Sequence, residues 1–342
     1  MNDLLCAATR LLGQMSNQSA LEPAGVQAAR IHSLYWAFVW VCTVVWILVM
    51  LFLLAAAARS HARGAARPKE ERPDLAPDGA RERRMGAVVG GAVAVTAVTL
   101  IVLMVSEFAT ARSLTSLARG TSDDNPVSIA VTAHQWWWEV QYQDKTPSNI
   151  ITTANEIHIP VGRPVTIQLR SPDVIHSFWV PNLHGKKDIV PGHPATIWLR
   201  ADRAGVFNGQ CAEFCGHQHA NMRFVVVAEP QAEFDKWLDA QRQPAPEPQT
   251  AMQQRGKQVF LGTSCAMCHS VSGTPAFGRV GPNLTHVAGR RLLAAGAVPN
   301  RPGHIAGWII DPQKIKPGVR MPQHALSPED LRALLEYIET LK

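Results

Sequence analysis

The chain has 342 residues, too many for one small domain, and a formal charge of +6 that is unevenly placed. From Thr250 onward there are 11 Lys/Arg against 5 Asp/Glu, so the C-terminal part is the basic one. Its six cysteines fall as Cys6, Cys42 and two close pairs, Cys211/Cys215 and Cys265/Cys268. Both pairs have cofactor spacing, which excludes a disulfide scaffold as the organising principle. No nucleic-acid partner is expected.

Residues 1–30 are polar and irregular, and they show no complete signal peptide. Cys6 follows Asp-Leu-Leu as at a lipoprotein cleavage site, but the apolar core that would precede one is missing. Two apolar stretches follow, residues 34–58 and residues 85–108, each long enough to cross a hydrocarbon core of roughly 30 Å. Both are apolar all round, which predicts a transmembrane hairpin over residues 31–112 in place of buried soluble helices. Cys42 is read as a small packing residue. The connecting residues 59–84 carry eight Lys/Arg with Pro68, Pro73 and Pro77, and positive charge marks the cytoplasmic side. Both termini, and everything after about Arg112, are then expected outside. Glu82 is read as a solvated charge at a helix start, and Glu107 as a helix-end charge at the outer interface.

Residues 119–239 alternate apolar and polar over short runs, separated by turn signals such as PVGRP and VPGHP. This predicts an antiparallel sandwich or barrel. Within it, residues 211–222 read CAEFCGHQHANM: two thiols four apart, His219 four after Cys215, and Met222 three further on. Thiolate, imidazole and thioether together suit copper. A tetrahedral zinc site from Cys211, Cys215, His219 and a distant His is the alternative, but it has no use for Met222. The run Trp136-Trp137-Trp138 must place alternate rings on opposite faces of a strand. The remaining histidines, His134, His158, His184, His193 and His217, are read as structural or surface groups.

Residues 240–250, AQRQPAPEPQT, read as an extended Pro-rich linker. Beyond it lies a unit of residues 251–342 with Cys265-Ala-Met-Cys268-His269, the attachment signature of c-type haem. Helical patterns flank it, with GPNL at residues 281–284, a GWIIDPQKIKPGVRMP stretch and a final helix over residues 328–341. Met321, in RMP, is the expected sixth iron ligand, and a thioether there raises the haem potential. Met252, Met267, His286, His304 and His324 are poorer candidates. The basic balance of this unit predicts an acidic partner surface.

CxExCGxxHxxM, preceded by DVIHSFWVP at residues 173–181, resembles the copper domain of cytochrome c oxidase subunit II. The C-terminal unit resembles a class I cytochrome c, and the whole resembles subunit II of a caa-type oxidase. The resemblance implies a two-helix hairpin, a cupredoxin-like Greek-key barrel and an all-α cytochrome c. It implies a dinuclear copper centre, CuA, held by His176, Cys211, the Glu213 carbonyl, Cys215, His219 and Met222. It further implies covalent haem c on Cys265 and Cys268, iron ligation by His269 and Met321, and electron entry at Trp136. The Glu213 carboxylate would reach a magnesium ion at the contact with subunit I, where Lys187 and Asp188 match a nearby family segment. The implied partners are subunits I and III, an external donor such as cytochrome c or a bc complex, and membrane lipid.

The implied function is electron entry to a bacterial cell-membrane oxidase that reduces oxygen and pumps protons. A copper-containing nitric oxide reductase subunit and a membrane-anchored copper assembly protein are the alternatives. The chain departs from the family at the second helix, where a Glu followed by Trp, Thr and Pro is common and this sequence reads RERRMGAVVGG.

Overall fold

The computed structural model describes residues 18–66, 79–119 and 127–342. Cys6 and the prolines at 68, 73 and 77 lie outside the described residues. Two helices, α1 (Val26–Ala66) and α2 (Gly79–Arg119), each run 41 residues. At 1.5 Å per residue that is roughly 60 Å, about twice the thickness of a hydrocarbon core. Both exceed the apolar stretches that predict them, because Ala, Arg and Glu at their ends form helix readily in water. Glu82 accordingly sits in the first turn of α2, where the helix dipole favours an anion. Glu107 is not at a helix end, since α2 continues to Arg119.

Trp40, Trp46, Phe52, Val88 and Phe108 are all more than 60 % exposed. Cys42 is exposed as well, against the expectation of a packing residue. Large apolar side chains turned outward on every side require an apolar surrounding, so these helices are built for lipid. The spans that meet the length and composition of a membrane crossing are Val26–Ala62 and Gly79–Leu114.

The β-rich part contains two five-stranded sheets. One has the order β3-β2-β1-β5-β8, with β1 (Val127–His134), β2 (Trp137–Tyr142), β3 (Ile151–Ala154), β5 (Val165–Arg170) and β8 (Ala195–Leu199). The other runs β4-β10-β9-β6-β7, with β4 (Glu156–Pro160), β6 (His176–Trp179), β7 (Lys187–Ile189), β9 (Gly205–Cys211) and β10 (Arg223–Glu229). Alternating burial along β1, β2 and β9 puts one face of each strand into a shared core. The expectation of a purely antiparallel fold is corrected at two places: β1 pairs β5 and β4 pairs β10 in parallel. Long crossovers, not tight hairpins, join these pairs, as a Greek-key layout requires.

Trp138 is fully buried, 5.9 Å from the ring of Phe178 and 5.1 Å from that of Phe224. Gly209 makes this possible, since a Cβ there would run into the Phe224 ring. The segment just before α1, with the first turn of that helix, is also part of this body. The Ala24 N–H donates to the Asn182 carbonyl at 2.7 Å, Ala28 N–H to Leu183 at 3.1 Å, and Gln27 is fully buried. The irregular N-terminal segment is thus partly a structural strap. Its polar backbone is satisfied by the barrel, which sequence periodicity does not reveal.

The C-terminal part is helical. A short α3 (Gln231–Gln241) closes the barrel with Phe234, and α4 (Ala251–Gly262) begins the next unit behind a reciprocal Thr250/Gln253 capping box. Then follow α5 (Cys265–Cys268), α6 (Pro302–Ile310), α7 (Pro312–Ile315) and α8 (Pro328–Ile338). Ser327 caps α8 by accepting from the Asp330 N–H at 3.1 Å. Helices α4 and α8 cross closely at Gly256, where any Cβ would overlap the Ala333 carbonyl. Residues 242–249 do not float as a free linker. The Ala245 N–H donates to the Ser272 carbonyl at 3.0 Å, and the His286 ring meets the Gln241 and Gln243 carbonyls at 3.2 and 3.1 Å.

Gly256→Ala should therefore force α4 and α8 apart. The expected cost is roughly 1–3 kcal/mol, read as a lowered thermal transition of the haem-binding part with the β-rich part unchanged.

Candidate functional site

The predicted copper residues converge. Cys211 ends β9, His176 opens β6, and Cys215, His219 and Met222 lie on the loop between β9 and β10. Cys211 and Cys215 are free thiols with their sulfurs 3.7 Å apart. The Nδ1 of His176 is 3.8 Å from Cys211 Sγ, and the Nδ1 of His219 is 3.6 Å from Cys215 Sγ. Met222 Sδ lies 3.8 Å from Cys215 Sγ, and the Glu213 carbonyl lies 3.1 Å from Cys211 Sγ. Two central thiols are thus flanked by one imidazole each and by one weak donor each. His176 and Met222 are fully buried and both thiols nearly so. Among the described residues His176, Cys211 and Cys215 form the cluster able to hold a metal.

The thiols titrate as a pair. The Cys215 S–H and the His176 ring hold Cys211 well below the usual thiol range, and the resulting thiolate, with burial, pushes Cys215 up. Such a donor set favours a soft cation that takes both thiolates at once.

Asp173 was quoted in the motif but given no role, and the structure supplies one. Its Oδ1 accepts from His176 Nε2 at 2.9 Å, and it also receives the Val174 and Gln135 N–H groups at 2.7 Å each. Burial opposes its charge, but these hydrogen bonds outweigh it and hold the carboxyl below the ordinary carboxylate range. With Nε2–H committed to Asp173, the His176 Nδ1 lone pair is left for a metal. The Asp-Val-Ile-His spacing puts the two side chains three residues apart, a spacing that suits a turn cap equally well.

Trp136, the residue expected to serve electron entry, lies in the turn between β1 and β2. It is 8 % exposed, not a surface ring. Its indole N–H donates to the Cys215 carbonyl at 2.9 Å, and the Gln135 amide donates to the same oxygen at 2.8 Å. Residues 316–319 cover its other side: Lys316 Nζ donates to its carbonyl at 2.7 Å, and Gly318 lies against its ring edge. No motif or periodicity signals that the C-terminal unit lies on this face. Trp137 stays half-buried and stacks on His134 at 4.6 Å, and Trp138 belongs to the core.

The Glu213 carboxylate pairs with Lys186 at 3.4 Å, and Lys186 also binds Asp188 at 2.8 Å. Lys186, not Lys187, is thus the partner of Asp188. Among the described residues Glu213 joins no metal-holding cluster, which leaves the magnesium expectation without support.

The CxxCH stretch opens onto a large apolar cavity with about 1540 Å³ of empty space, its mouth included. Cys265, Cys268, His269 and Met321 all line it. The His269 Nδ1–H donates to the Pro282 carbonyl at 2.8 Å, which leaves Nε2 free as a ligand atom. Burial lowers the His269 pKa, against the pull of that carbonyl, so the ring stays neutral as iron ligation needs. The alternatives other than His324 are placed elsewhere. Met267 is 71 % exposed, Met252 is exposed, and His286 has both ring nitrogens against backbone carbonyl oxygens. His324 lines the cavity too, with Nδ1 at 3.4 Å from Ser264 Oγ.

Arg290 also lines the cavity. Its Nη2 donates to the Asn283 carbonyl, its Nε is buried without a partner, and burial lowers its pKa to about 10. A planar apolar slot with an unmatched buried guanidinium N–H fits a group that is apolar at its centre and anionic at one edge. Haem is such a group.

The two units also meet at a buried cluster. His158 bonds Glu229 at 2.8 Å and Glu156 at 3.0 Å, stacks on Trp237 at 4.0 Å, and Glu156 accepts the Arg291 N–H at 3.0 Å. Burial opposes both charges, but the mutual bonds win, raising His158 and lowering Glu156.

With this geometry in place, comparison with known proteins is direct. The description "Cytochrome C oxidase subunit II, periplasmic domain" matches residues 127–229, and "Cytochrome c" matches residues 253–342. The chain thus consists of two apolar helices, a cupredoxin-like β domain and a helical cytochrome c domain. Cytochrome c oxidase subunit 2 of Alkalihalophilus pseudofirmus is 42 % identical over 64 % of this chain and 62 % of its own length. The same subunit of Bacillus sp. strain PS3 is 34 % identical over 64 % of each. The chain therefore spans a little under two thirds of these relatives. The crystal structure of the periplasmic domain of subunit II of cytochrome oxidase of Bradyrhizobium japonicum is 29 % identical with a TM-score of 0.32, covering 34 % of this chain and 93 % of that one.

Two outcomes are expected. Asp173→Asn should weaken copper retention about 10–100-fold in a chelator competition, because the charged acceptor of the His176 Nε2–H is lost; an unchanged affinity would sink the role given to Asp173. The His158 cluster should add stability that is full below the ring's ordinary value of 6.5 and fades as pH rises through its raised folded value. The Glu156 arm fades in the other direction, as pH falls through its lowered folded value from the ordinary 4.5. His158→Gln should flatten the alkaline side of a plot of Tm against pH.

Proposed function

We propose that this chain is the electron-entry subunit of an aerobic terminal oxidase. Electrons from an external donor, a cytochrome c or a bc complex, would arrive at covalent haem c, move to dinuclear CuA and leave for subunit I. Oxygen reduction to water and proton pumping would occur there. Two helices anchor the chain in a bacterial cell membrane, with the redox domains on the outer face and subunits I and III as neighbours. The domain limits are residues 119–239 for CuA and 251–342 for the cytochrome, joined by residues 240–250.

The observation that carries this reading is the adjacency of two complete donor sets. His176, Cys211, the Glu213 carbonyl, Cys215, His219 and Met222 surround one point, and a cavity lined by Cys265, Cys268, His269 and Met321 opens beside Trp136. Bound there, the copper pair and the haem iron supply one-electron chemistry. The chain supplies placement. Asp173 fixes the His176 ring, Pro282 fixes the His269 ring, and Gln135 and Trp136 hold the Cys215 carbonyl, so the copper loop is braced at its centre. Rigid bracing keeps ligand positions constant through a change of charge, which a fast relay requires.

The full chain in detergent, loaded with copper and haem, should give the mixed-valence EPR pattern of two equivalent coppers beside a low-spin c-type haem. In the assembled complex, donor oxidation should consume oxygen. A single-copper signal, or copper lost on dialysis, would overturn the dinuclear assignment. Consumption of nitric oxide in place of oxygen would move the chain to the reductase reading.

A further inference from the structure

Lys316 is 1 % exposed and, among the described residues, has no carboxylate partner. Its ammonium donates to three backbone carbonyls: Trp136 at 2.7 Å, Asn221 at 2.7 Å and Ala294 at 3.0 Å. An ammonium has three N–H bonds to give, so all are used. The three acceptors come from separate stretches. Trp136 is in the turn between β1 and β2, Asn221 immediately precedes Met222 on the copper loop, and Ala294 belongs to the cytochrome domain itself. Around it, Gln218 Nε2 donates to the Pro317 carbonyl at 2.8 Å, Gly318 lies on the Trp136 ring, and Val319 packs against the barrel core. The segment that carries Lys316 continues to Met321, which faces the haem cavity.

We propose that Lys316 is a positioning residue that locks the cytochrome domain onto the copper domain in one register, so that the haem is a fixed neighbour of Trp136 and not a tethered shuttle. The proposal rests on the relay reading given above. Burying an ammonium is expensive unless every N–H is met. Apolar packing alone would tolerate a slide of the interface by an ångström or two. A slide here leaves a buried charge unpaired, so the ammonium selects the single pose that satisfies it. That pose also seals the Trp136 face against outside donors, which must then deliver to the cytochrome domain. With both groups held by these residues, transfer would move one electron from the haem to the copper pair, with no bond made and no proton moved, and an external donor would re-reduce the haem.

The test uses the full chain with both cofactors, haem reduced by a light-generated reductant, and haem and copper absorbance followed together. In the wild type the haem-to-copper rate should be independent of added glycerol, since no domain motion is needed. In Lys316→Met the static spectra should persist, the rate should fall on the order of tenfold or more, and it should become sensitive to glycerol. Amide exchange at Arg291, which bonds Glu156 across the same contact, gives a readout apart from electron transfer and should quicken in the variant.

A wild-type rate that falls with glycerol overturns the lock alone. So does a Lys316→Met protein with the wild-type rate and no glycerol dependence. If the variant does not fold, the wild-type glycerol series decides by itself. No haem-to-copper transfer in the wild type overturns the relay reading and the lock with it.

Discussion

The Cys215 carbonyl is the atom on which the arrangement turns. It accepts the Trp136 indole and the Gln135 amide together, and Cys215 itself contributes a thiol to the buried pair. The backbone N–H of the same residue, Gln135, donates to Asp173, which orients His176. One turn between β1 and β2 therefore braces both the loop after β9 and the first residue of β6. Gly216, with φ +111 and the Trp136 and Gln135 side chains close against its would-be Cβ, is the residue that lets the copper loop come this near. The ligand geometry depends on a small hydrogen-bonded hub whose members lie some 40 to 80 residues apart in sequence.

Much of this was legible beforehand. The run CAEFCGHQHANM places thiol, imidazole and thioether in one loop, and CxxCH with a distant Met321 places a thioether opposite an imidazole. These are local or motif-borne signals, and in the structure each set faces a common point or a common cavity. Two apolar runs read as membrane helices because lipid leaves no side polar, and the observed helices are apolar outward.

What was not legible is long-range. Asp173 sits three residues before His176, yet nothing in an isolated sequence distinguishes a carboxylate that orients a ring from one that caps a turn. The parallel pairing of β1 with β5 depends on which strands meet, and alternation of apolar residues is the same for either direction. The Trp136-Trp137-Trp138 run carries no signal of which other part of the chain covers Trp136. Its burial comes from a segment 180 residues later in the chain, through the bond from Lys316. Burial of that kind belongs to domain docking, which no period of 2.0 or 3.6 encodes.

The strap formed by residues 242–249 bears on how a fused electron carrier differs from a diffusing one. Ala245 is bonded to Ser272, and His286 grips the carbonyls on either side of Arg242. A free tether sets encounter frequency through its contour length, so lengthening it dilutes the partner. A strap glued down along its course has no reach to vary. Local concentration is then a property of the interface, and covalent continuity serves stoichiometry: each copper domain is made with one cytochrome of its own. Chain length between the domains is thereby released as an evolutionary variable, and the selective weight falls on the surfaces that the strap joins.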